Sequence, residues 1–200
     1  MVAIIDYGMG NRASVQNALA FLGHESVVTQ DPAVIAGASH LILPGVGAFG
    51  DGMKAIRERG LDKVMADEIA NGKPLLGICL GMQLLASKGE EGGLHDGLGF
   101  IPGTVKRLSA GELRIPHVGW NDVTPKTGEA LFTGTEPNIF YFVHSFALAA
   151  DDASDVIATC DYGAPFVAAV RREKVMGVQF HPEKSQASGL RVLKNFLSIT

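Results

Sequence analysis

The pattern of apolar and polar residues changes near residue 89 of this 200-residue chain. Before that point, short apolar runs alternate with stretches whose apolar residues recur every three or four positions, which is typical of strands alternating with amphipathic helices. The predicted strands are VAII, SVVT, HLILP and PLLGIC. The predicted helices cover residues 13–22, 32–36, 53–70 with an interruption at Gly60, and the stretch GMQLLAS. Fully apolar strands that alternate with helices favour a parallel sheet covered on both faces.

After Gly89 the pattern indicates strands without intervening helices. The strand-like runs are GTVKRL, HVGWNDV, IFYFVHSFALA, VIATCDYG, FVAAVRRE and KVMGVQFH, with turn residues between them. A last amphipathic helix is predicted from about residue 187 to 197, with Leu190, Leu193 and Leu197 on one side. Since there is no internal repeat, low-complexity tract or linker, we expect one α/β domain over residues 1–200, mostly antiparallel or mixed in its second half.

Composition and charge argue against several classes of function. The apolar fraction of 46%, charged fraction of 19% and net charge of −4 are those of a globular protein, and no run of Lys or Arg supports nucleic-acid binding. No apolar stretch is long enough to span a bilayer, and the start MVAIIDYGMG lacks the basic region of a signal peptide, so we expect a cytoplasmic protein. The two cysteines lack the paired spacing of a disulfide framework or a zinc site, and no metal or cofactor is expected.

The segment GICLG, residues 77–81, has the form G-x-C-x-G at a predicted strand-to-helix junction. It is the cysteine analogue of the G-x-S-x-G elbow, in which a sharp turn exposes a nucleophile at a strand end. The dipole and free N–H groups of the following helix favour the thiolate of Cys79, and the Leu80 N–H is placed to donate to an oxyanion. The alternative is that Cys79 is a small buried hydrophobe at the end of a core strand. Cys160, in a strand-like run without a basic neighbour, is interpreted as a packing residue.

A thiolate nucleophile needs a base, and the base needs an orienting group. The segment VQFHPEKS supplies His181 and Glu183, and Pro182 fixes the backbone so that both side chains can project from one turn at a strand exit. For a lone histidine a structural role would be the better interpretation. The combination of His-Pro-Glu with the cysteine elbow instead favours a catalytic triad.

The other histidines are weaker candidates. His24, His95 and His117 lie in or near predicted turns and are expected to be solvated or structural. His40 opens a strand and is expected at a surface or an edge. His144, within YFVHSF, is either a residue that lines a site or a satisfied core histidine.

The elbow GICLGMQLL, followed about a hundred residues later by QFHPEKS, resembles the class I glutamine amidotransferases. The stretches IIDYGMGN, LPGVGAFGDGM, PHVGWNDV and YFVHSF narrow the resemblance to the glutaminase subunits of imidazole glycerol phosphate synthase, from histidine biosynthesis. The resemblance extends over the whole chain, whereas other glutaminases of the class commonly carry PGG in place of PGVG. It implies a three-layer flavodoxin-like fold with a central, mostly parallel sheet, helices on both faces and antiparallel strands in the C-terminal half.

The resemblance implies a role for each residue of the triad. Cys79 would attack the side-chain amide carbon of L-glutamine, His181 would take the thiol proton and later protonate the departing ammonia, and Glu183 would orient the imidazole. Water would then hydrolyse the γ-glutamyl thioester to glutamate.

Both steps pass through an oxyanion, for which the resemblance implies two sources of N–H donors. One is Leu80, and the other is the PGVG loop near Val46 and Gly47. The occurrence of glycine in this loop also has a physical explanation that is independent of the family. Gly45 and Gly47 let the backbone approach a ligand without a Cβ collision.

The resemblance also implies substrate contacts. Gln83 matches a glutamine that contacts the substrate, Glu91 would pair with the substrate ammonium, and Ser145 and Phe146 would line the α-carboxylate through their backbone. A solvated loop charge is the alternative for Glu91. Relatives usually carry tyrosine where Phe146 stands, so a backbone contact would survive the change and a hydroxyl contact would not.

The partner that the resemblance implies is a (β/α)₈-barrel cyclase subunit, which receives the ammonia and forms a heterodimer with the glutaminase. Asn11, Trp120, Tyr141 and Lys184 would face that barrel. The alternatives are a solvated charge for Lys184 and core aromatic residues with one polar edge for Trp120 and Tyr141.

Three other functions fit parts of the sequence. They are the glutaminase of purine, anthranilate or pyridoxal phosphate synthesis, a catalytically dead binding or regulatory module, and a free-standing cysteine hydrolase or chaperone on a related sheet. The motifs DYGMGN and PGVGAF disfavour the first, and the intact Cys79, His181 and Glu183 disfavour the second. Free-standing cysteine hydrolases and chaperones of this kind usually have their histidine just after the elbow cysteine. This chain has Leu80 there, which disfavours the third function.

Overall fold

Short apolar runs form the strands of a central sheet because each strand is covered on both faces. The computed structural model describes residues 1–200. The strands are β1 Val2–Ile5, β2 Ser26–Thr29, β3 His40–Gly45, β4 Leu75–Cys79, β5 Ala86–Gly89, β6 His95–Asp96, β7 Ile101–Arg107, β8 His117–Pro125, β9 Ile139–His144, β10 Phe146–Ala150, β11 Val156–Asp161, β12 Pro165–Arg172 and β13 Val175–Val178. The helices are α1 Arg12–Phe21, α2 Pro32–Ala36, α3 Phe49–Glu58, α4 Leu61–Ala70, α5 Leu80–Leu84 and α6 Gln186–Leu197. None of these helices combines the length and apolarity needed to cross a bilayer.

The strands form two sheets. The larger sheet has nine strands in the order β2-β1-β3-β4-β13-β12-β11-β8-β9. Its first five strands pair in parallel, and the remaining pairings are antiparallel. A smaller four-stranded sheet has the order β10-β7-β5-β6. The predicted fold class, with parallel strands first and antiparallel strands in the C-terminal half, is confirmed.

Helices and the small sheet cover the larger sheet on its two faces. Alternate residues of β1 show the division, since Val2 and Ile4 pack with α1 and α6, while Ala3 and Ile5 pack with α2, α3 and α4. The four-stranded sheet lies on this second side, where its buried residues Ile101 and Val105 join the same core cluster. The result is the predicted three-layer arrangement.

Three predicted elements differ from those observed. The long helix is two helices, α3 and α4, separated at Gly60, whose φ of 66° ends the first helix as predicted. The helix after the elbow, α5, has only five residues, because Ala86–Gly89 leaves it to pair with β6 and β7. The run IFYFVHSFALA is two strands in different sheets, β9 and β10, with Ser145 between them.

The topology brings the predicted chemistry to one edge of the larger sheet. In the parallel pair β3 and β4, Gly45 lies opposite Cys79 at the carboxyl ends of both strands. Strand β13 pairs in parallel with β4 on its other side, so the chain that leaves β13 toward His181 emerges at the same edge. Ligand sites of open α/β sheets lie outside the carboxyl ends of such strands.

The C-terminal helix α6 closes the first face of the sheet with Phe196. This side chain is fully buried and lies edge-on against the His40 ring, with ring centroids 5.2 Å apart. The expectation that His40 lies at a surface or an edge is wrong, since His40 is 9% exposed and its Nε2 is 2.9 Å from Ile199 O. The cause is β3, which is an internal strand of the sheet rather than an edge.

We expect Phe196→Ala to destabilise the protein by about 3–5 kcal/mol, because it leaves a cavity under α6 that the sheet cannot fill. Phe21→Ala is the matched control, since Phe21 is 78% exposed and its loss should change stability by less than about 0.5 kcal/mol. Urea denaturation of both variants measures the difference. Equal midpoints for the two variants would contradict the packing described for α6.

Candidate active site

The turn between β4 and α5 holds Cys79 in a strained backbone conformation. Cys79 has φ 55° and ψ −113°, outside the regions that residues with a side chain ordinarily adopt. Strain of this kind costs on the order of 1–3 kcal/mol and persists only where the surroundings impose it. The side chain is 6% exposed and lines a cavity, so the turn directs the thiol into that cavity and away from bulk solvent.

The absence of side chains at the two glycines of the elbow allows this turn. A Cβ on Gly81 would overlap the carbonyl oxygen of Leu43 in β3, and a Cβ on Gly77 would lie 2.7 Å from Gly81 O. Backbone segments of β3, β4 and α5 therefore approach one another at distances that only glycine permits. The close approach predicted from G-x-C-x-G is confirmed.

His181 and Glu183 project from one rigid turn after β13. His181 Nδ1 lies 2.9 Å from Glu183 Oε1, and the two side chains are 4% and 1% exposed. A 3₁₀ turn over Pro182–Lys184 sets this spacing. Hydrogen bonds also fix the turn to β9, since His181 N donates to Tyr141 O at 2.9 Å and Tyr141 N donates to Ser185 Oγ at 3.0 Å.

The environment of His181 favours its protonated form. Burial lowers the pKa of the imidazole, but the proximity of the Cys79 sulfur and of the Glu183 carboxylate outweighs burial and raises the pKa to about 9. Because Glu183 accepts from Nδ1–H, Nε2 is the nitrogen left to exchange protons with a reacting group. This arrangement is that of a base held in one orientation by a carboxylate.

The hydrogen bonds of the thiol in this structure run to other groups. Cys79 Sγ donates to Val143 O at 3.7 Å and accepts from Gln179 Nε2 at 3.8 Å. Deprotonation by His181 therefore requires the S–H bond to turn from the Val143 carbonyl toward the imidazole.

Cys79 and His181 share one cavity of about 280 Å³. All seven residues that the sequence predicts for oxyanion or substrate binding line it as well. They are Val46, Gly47, Leu80, Gln83, Glu91, Ser145 and Phe146, and Lys184 from the predicted interface also lines the cavity. The sequence did not mark Pro116 or Val143, which also line it, and His144, left open between two roles, lines it too.

Two glutamines connect α5 to the thiol. Gln83 Nε2 donates to Phe146 O at 2.9 Å and to Gln179 Oε1 at 3.0 Å, and Gln179 in turn donates to Cys79 Sγ. Both side chains are almost fully buried. Gln179 is not among the site residues predicted from the sequence. The signal that could identify it is its position two residues before His181 at the end of a strand, which places both side chains on the same side of an extended chain.

Glu91 is held at the start of α3. Its Oε2 accepts from Phe49 N at 2.9 Å, so its negative charge faces the positive end of a helix that follows the PGVG loop. Gly47 in that loop has φ 103°, and Val46 is 44% exposed. Glu91 is thus partly buried, and its carboxylate connects the start of α3 to the cavity wall.

Asn11 lies behind the triad. Its Nδ2 is 3.5 Å from Glu183 Oε1, the oxygen that also accepts from His181. The second oxygen, Glu183 Oε2, is buried without a hydrogen-bond partner. Asn11 thus adds a donor to the carboxylate that orients the base, in addition to the interface role that the sequence predicts.

Of the other predicted interface residues, Trp120 and Tyr141 lie on the outer face of the hairpin formed by β8 and β9, and Lys184 lies in the 3₁₀ turn after β13. Trp120 is paired in register with Tyr141, and their rings pack edge to face with centroids 5.9 Å apart. Lys184 Nζ lies 5.9 Å from the Tyr141 ring centroid. Trp120 is 47% exposed, so the interpretation of this residue as a core aromatic is wrong.

A chain of three side chains supports the inner wall beside Phe146. His144 Nδ1 lies 2.8 Å from Phe146 O, His117 Nδ1 lies 3.2 Å from His144 Nε2, and Asn121 Nδ2 lies 3.4 Å from His117 Nε2. One assignment satisfies every contact, with each histidine neutral and protonated on Nδ1. The expectation that His117 lies in or near a turn is wrong, because it is buried in β8 opposite His144.

Burial accounts for the neutral state of both rings. It lowers the pKa of His117, and it lowers the pKa of His144 to about 4, where the proximity of His117 and His181, which disfavours a further positive charge, acts in the same direction. Phe146 O partly opposes the shift of His144. The wall of the cavity therefore carries no charge from this pair near neutral pH.

Neither Cys160 nor the acidic residues form a second nucleophilic site or a metal site. Burial, together with the charges of Asp161 and Asp122, raises the pKa of Cys160 to about 12, so its thiol is protonated at neutral pH. No group of three or more His, Cys, Asp or Glu side chains is arranged to hold a metal ion.

Comparison with known proteins gives a consistent family. The chain matches the glutamine amidotransferase class-I family over residues 3–199. It is 51% identical to the imidazole glycerol phosphate synthase subunit HisH 2 of Nitrobacter winogradskyi, over 98% of this chain and 97% of that protein. It is 50% identical to subunit HisH of the same synthase from Symbiobacterium thermophilum, over 98% of this chain and 92% of that protein.

Solved structures agree on the fold. A glutamine amidotransferase crystal structure superposes with a TM-score of 0.76 at 23% identity, covering 98% of this chain and 97% of the other. A chain of the PurLQS structure from Thermotoga maritima gives the same TM-score at 22% identity, covering 98% and 96%.

We expect the stability of the protein to fall as the pH decreases from about 6.5 to 4, in part because of His144. The unfolded chain takes up a proton near the ordinary histidine pKa, whereas folded His144 does so only near 4, so the unfolded state binds more protons in this window. The two pKa values differ by roughly 2.5 units, which corresponds to a contribution on the order of 3 kcal/mol. His144→Asn, which keeps a donor for Phe146 O, should flatten the pH dependence of urea denaturation.

The control is His24→Asn, since His24 is exposed and its substitution should leave the slope unchanged. If His144→Asn and the wild-type protein lose the same stability over this pH range, the burial argument for His144 is wrong.

Proposed function

This chain belongs to the class-I glutamine amidotransferase family, and from that premise we propose that it is the glutaminase subunit of an imidazole glycerol phosphate synthase. It hydrolyses L-glutamine to glutamate and ammonia through a thioester on Cys79, and it passes the ammonia to a (β/α)₈-barrel cyclase. The cyclase uses it to make imidazole glycerol phosphate and an aminoimidazole carboxamide ribotide. The proposal rests chiefly on one observation: Cys79 of the elbow and His181 line one cavity, and Glu183 is hydrogen-bonded to His181 behind it.

The first half-reaction forms a carbon–sulfur bond and breaks a carbon–nitrogen bond. Transfer of the thiol proton to His181 Nε2 gives a thiolate–imidazolium pair, which the raised pKa of His181 favours. The thiolate then attacks the amide carbon of the substrate to give a tetrahedral oxyanion. The intermediate collapses as the imidazolium returns that proton to the leaving nitrogen, which departs as ammonia. Glu183 stabilises the imidazolium throughout without itself taking the proton.

The second half-reaction repeats the same proton path with water. The imidazole takes a proton from water, the hydroxyl oxygen attacks the thioester carbon, and a second oxyanion forms. Its collapse releases glutamate and returns the proton to sulfur, so that Cys79 and His181 are restored. No other reactant is consumed.

Donors for both oxyanions come from two backbone segments that flank the thiol. Leu80 N–H is one of the first, unpaired donors of α5, and the second comes from the loop at Val46 and Gly47. The pairing of Gly45 with Cys79 places this loop beside the elbow. Removing one such donor typically lowers the rate by roughly 10²–10³-fold.

A carboxylate and backbone groups hold the two ends of the amino acid. The Glu91 carboxylate binds the substrate ammonium at the cavity wall, and the backbone at Ser145 and Phe146 binds the α-carboxylate. The Gln83–Gln179 pair fixes the wall between them, since both amides are satisfied by protein groups.

The partner binds on the outer face of β8 and β9. Val118, Trp120, Ile139 and Val143 are exposed apolar residues on this face, in cross-strand register with one another or with Tyr141 and Asp122. Val143 and Lys184 also line the catalytic cavity. A protein seated on this face therefore covers the mouth of the cavity from which ammonia leaves, and delivery there prevents its loss to bulk water.

We expect Cys79→Ser to lower glutamine turnover by at least about 10³-fold in the presence of the cyclase and its ligand, because the weaker nucleophile retains the hydroxyl geometry but not the thiolate. Glutamate formation measures the effect. Cys160→Ser is the matched control, since Cys160 is buried in β11 and should leave turnover unchanged. A Cys79→Ser variant with wild-type turnover would refute the proposed mechanism.

We expect Trp120→Ala to weaken binding to the cyclase by roughly tenfold or more, because an aromatic side chain at the centre of an interface commonly contributes more than about 1 kcal/mol. Isothermal titration calorimetry with the purified cyclase measures the affinity. Phe21→Ala serves for comparison, since α1 starts beside the triad at Asn11 and carries Phe21 at its far end. Equal affinities for the two variants would exclude this face as the docking surface.

A further inference from the structure

The Tyr7 hydroxyl is buried without a hydrogen-bond partner. Only two buried side-chain polar atoms in this protein lack a partner, Tyr7 Oη and Glu183 Oε2. Tyr7 is fully buried, and burial followed by the negative charge of Cys79 raises the pKa of its phenol well above the ordinary value. The group is therefore a neutral O–H donor close to the elbow.

The position of this hydroxyl follows from the space around Gly45. A Cβ on Gly45 would lie 2.6 Å from Tyr7 Oη and 2.6 Å from Gly81 N. The hydroxyl thus occupies the gap between the end of β3 and the first turn of α5. These are the two segments that supply the proposed oxyanion donors, Leu80 on one side and the Val46–Gly47 loop on the other.

Packing alone does not account for an oxygen at this position. Phenylalanine has the same ring and would fill the same buried space without leaving a donor unpaired, and a buried unpaired donor destabilises the folded state. An unsatisfied polar group of this kind calls for a functional explanation. The hydroxyl must therefore find an acceptor in a state of the protein that differs from this one.

The loop itself can supply that acceptor. In a trans peptide the N–H and C=O groups point in opposite directions. When an N–H of the Val46–Gly47 loop points into the cavity toward an oxyanion, the carbonyl of the same peptide points back into the protein, toward the side where Tyr7 lies. That carbonyl then needs a donor, since buried backbone groups are almost always paired.

We propose that Tyr7 is a positioning residue whose hydroxyl donates to a carbonyl of the Gly45–Gly47 loop when the loop directs its N–H to the oxyanion. This role rests on the proposed glutaminase function. The bond is made only in the reacting state, so it lowers the barrier to reaction without strengthening the binding of glutamine.

The test is Tyr7→Phe in the full chain, assayed with glutamine, the cyclase and its ligand. We expect kcat to fall about tenfold with KM unchanged within about twofold, because the lost interaction is absent from the ground state. The urea midpoint should stay the same or rise, since the unpaired donor is removed. Tyr162→Phe provides the opposite control, because the Tyr162 hydroxyl donates to Arg114 O at 2.7 Å, so its loss should leave kcat unchanged and lower the midpoint or leave it unaltered.

A second measurement separates the loop from the thiol. Alkylation of Cys79 by iodoacetamide, in a Cys160→Ser background, displaces iodide at a methylene carbon and forms no oxyanion. Tyr7→Phe should leave this rate unchanged while it slows glutamine hydrolysis. Equal slowing of both reactions would show that the hydroxyl acts on the thiol, and the proposed role in the loop would be wrong.

The remaining outcomes are distinct. An unchanged kcat in Tyr7→Phe would overturn the positioning role of Tyr7. The glutaminase function would be unaffected, because the activity of the wild-type protein supports it independently. A lower kcat with a lower urea midpoint would assign Tyr7 to folding and likewise overturn the role. A wild-type chain without glutaminase activity would overturn the proposed function, and the role of Tyr7 with it.

Discussion

The close crossing of three backbone segments at the elbow is the constraint on which the rest of the site depends. Cys79 keeps a positive φ only because β4 must turn into α5 against β3, and the two glycines remove the side chains that would block the crossing. The strain is supported by the buried strands on both sides of β4, which are far larger than the turn itself. A rigid sheet thus carries the unfavourable conformation that exposes the sulfur to the cavity.

The second half of the chain supplies the complementary chemistry through the register of its strands. Two hydrogen bonds fix His181. Its side chain is bonded to Glu183, and its backbone N–H donates to Tyr141 O. The opposite wall is built from neutral groups, the His117–His144 pair and the two glutamines Gln83 and Gln179. Charge at the cavity is therefore carried by the triad, Glu91 and Lys184, while the His117–His144 and Gln83–Gln179 pairs are hydrogen-bonded within themselves.

The local parts of this site could be predicted from the sequence, because their causes lie within a few residues. The motif G-x-C-x-G carries its own steric explanation, and the spacing of His181 and Glu183 around Pro182 within one 3₁₀ turn is local. The contact of Asn11 with Glu183 joins residues 172 positions apart, and the pairing of His117 with His144 depends on the register of β8 and β9. The early end of α5 depends on β7, which draws residues 86–89 into a second sheet. Such features follow from how the strands assemble, which no local pattern encodes.

Tyr141 belongs to two surfaces at once. Its ring lies on the outer face beside Trp120 and Lys184, while its carbonyl accepts the backbone N–H of His181. The Tyr141 residue therefore connects the outer face of the β8–β9 hairpin to His181, the general base of the triad. The outer surface of β9 and the position of the His181 imidazole therefore cannot evolve independently. A shift of the β9 backbone that suited a new binding partner would also move the imidazole. Strand β9 should accordingly tolerate exchange of its outward side chains more readily than any insertion or deletion along its length.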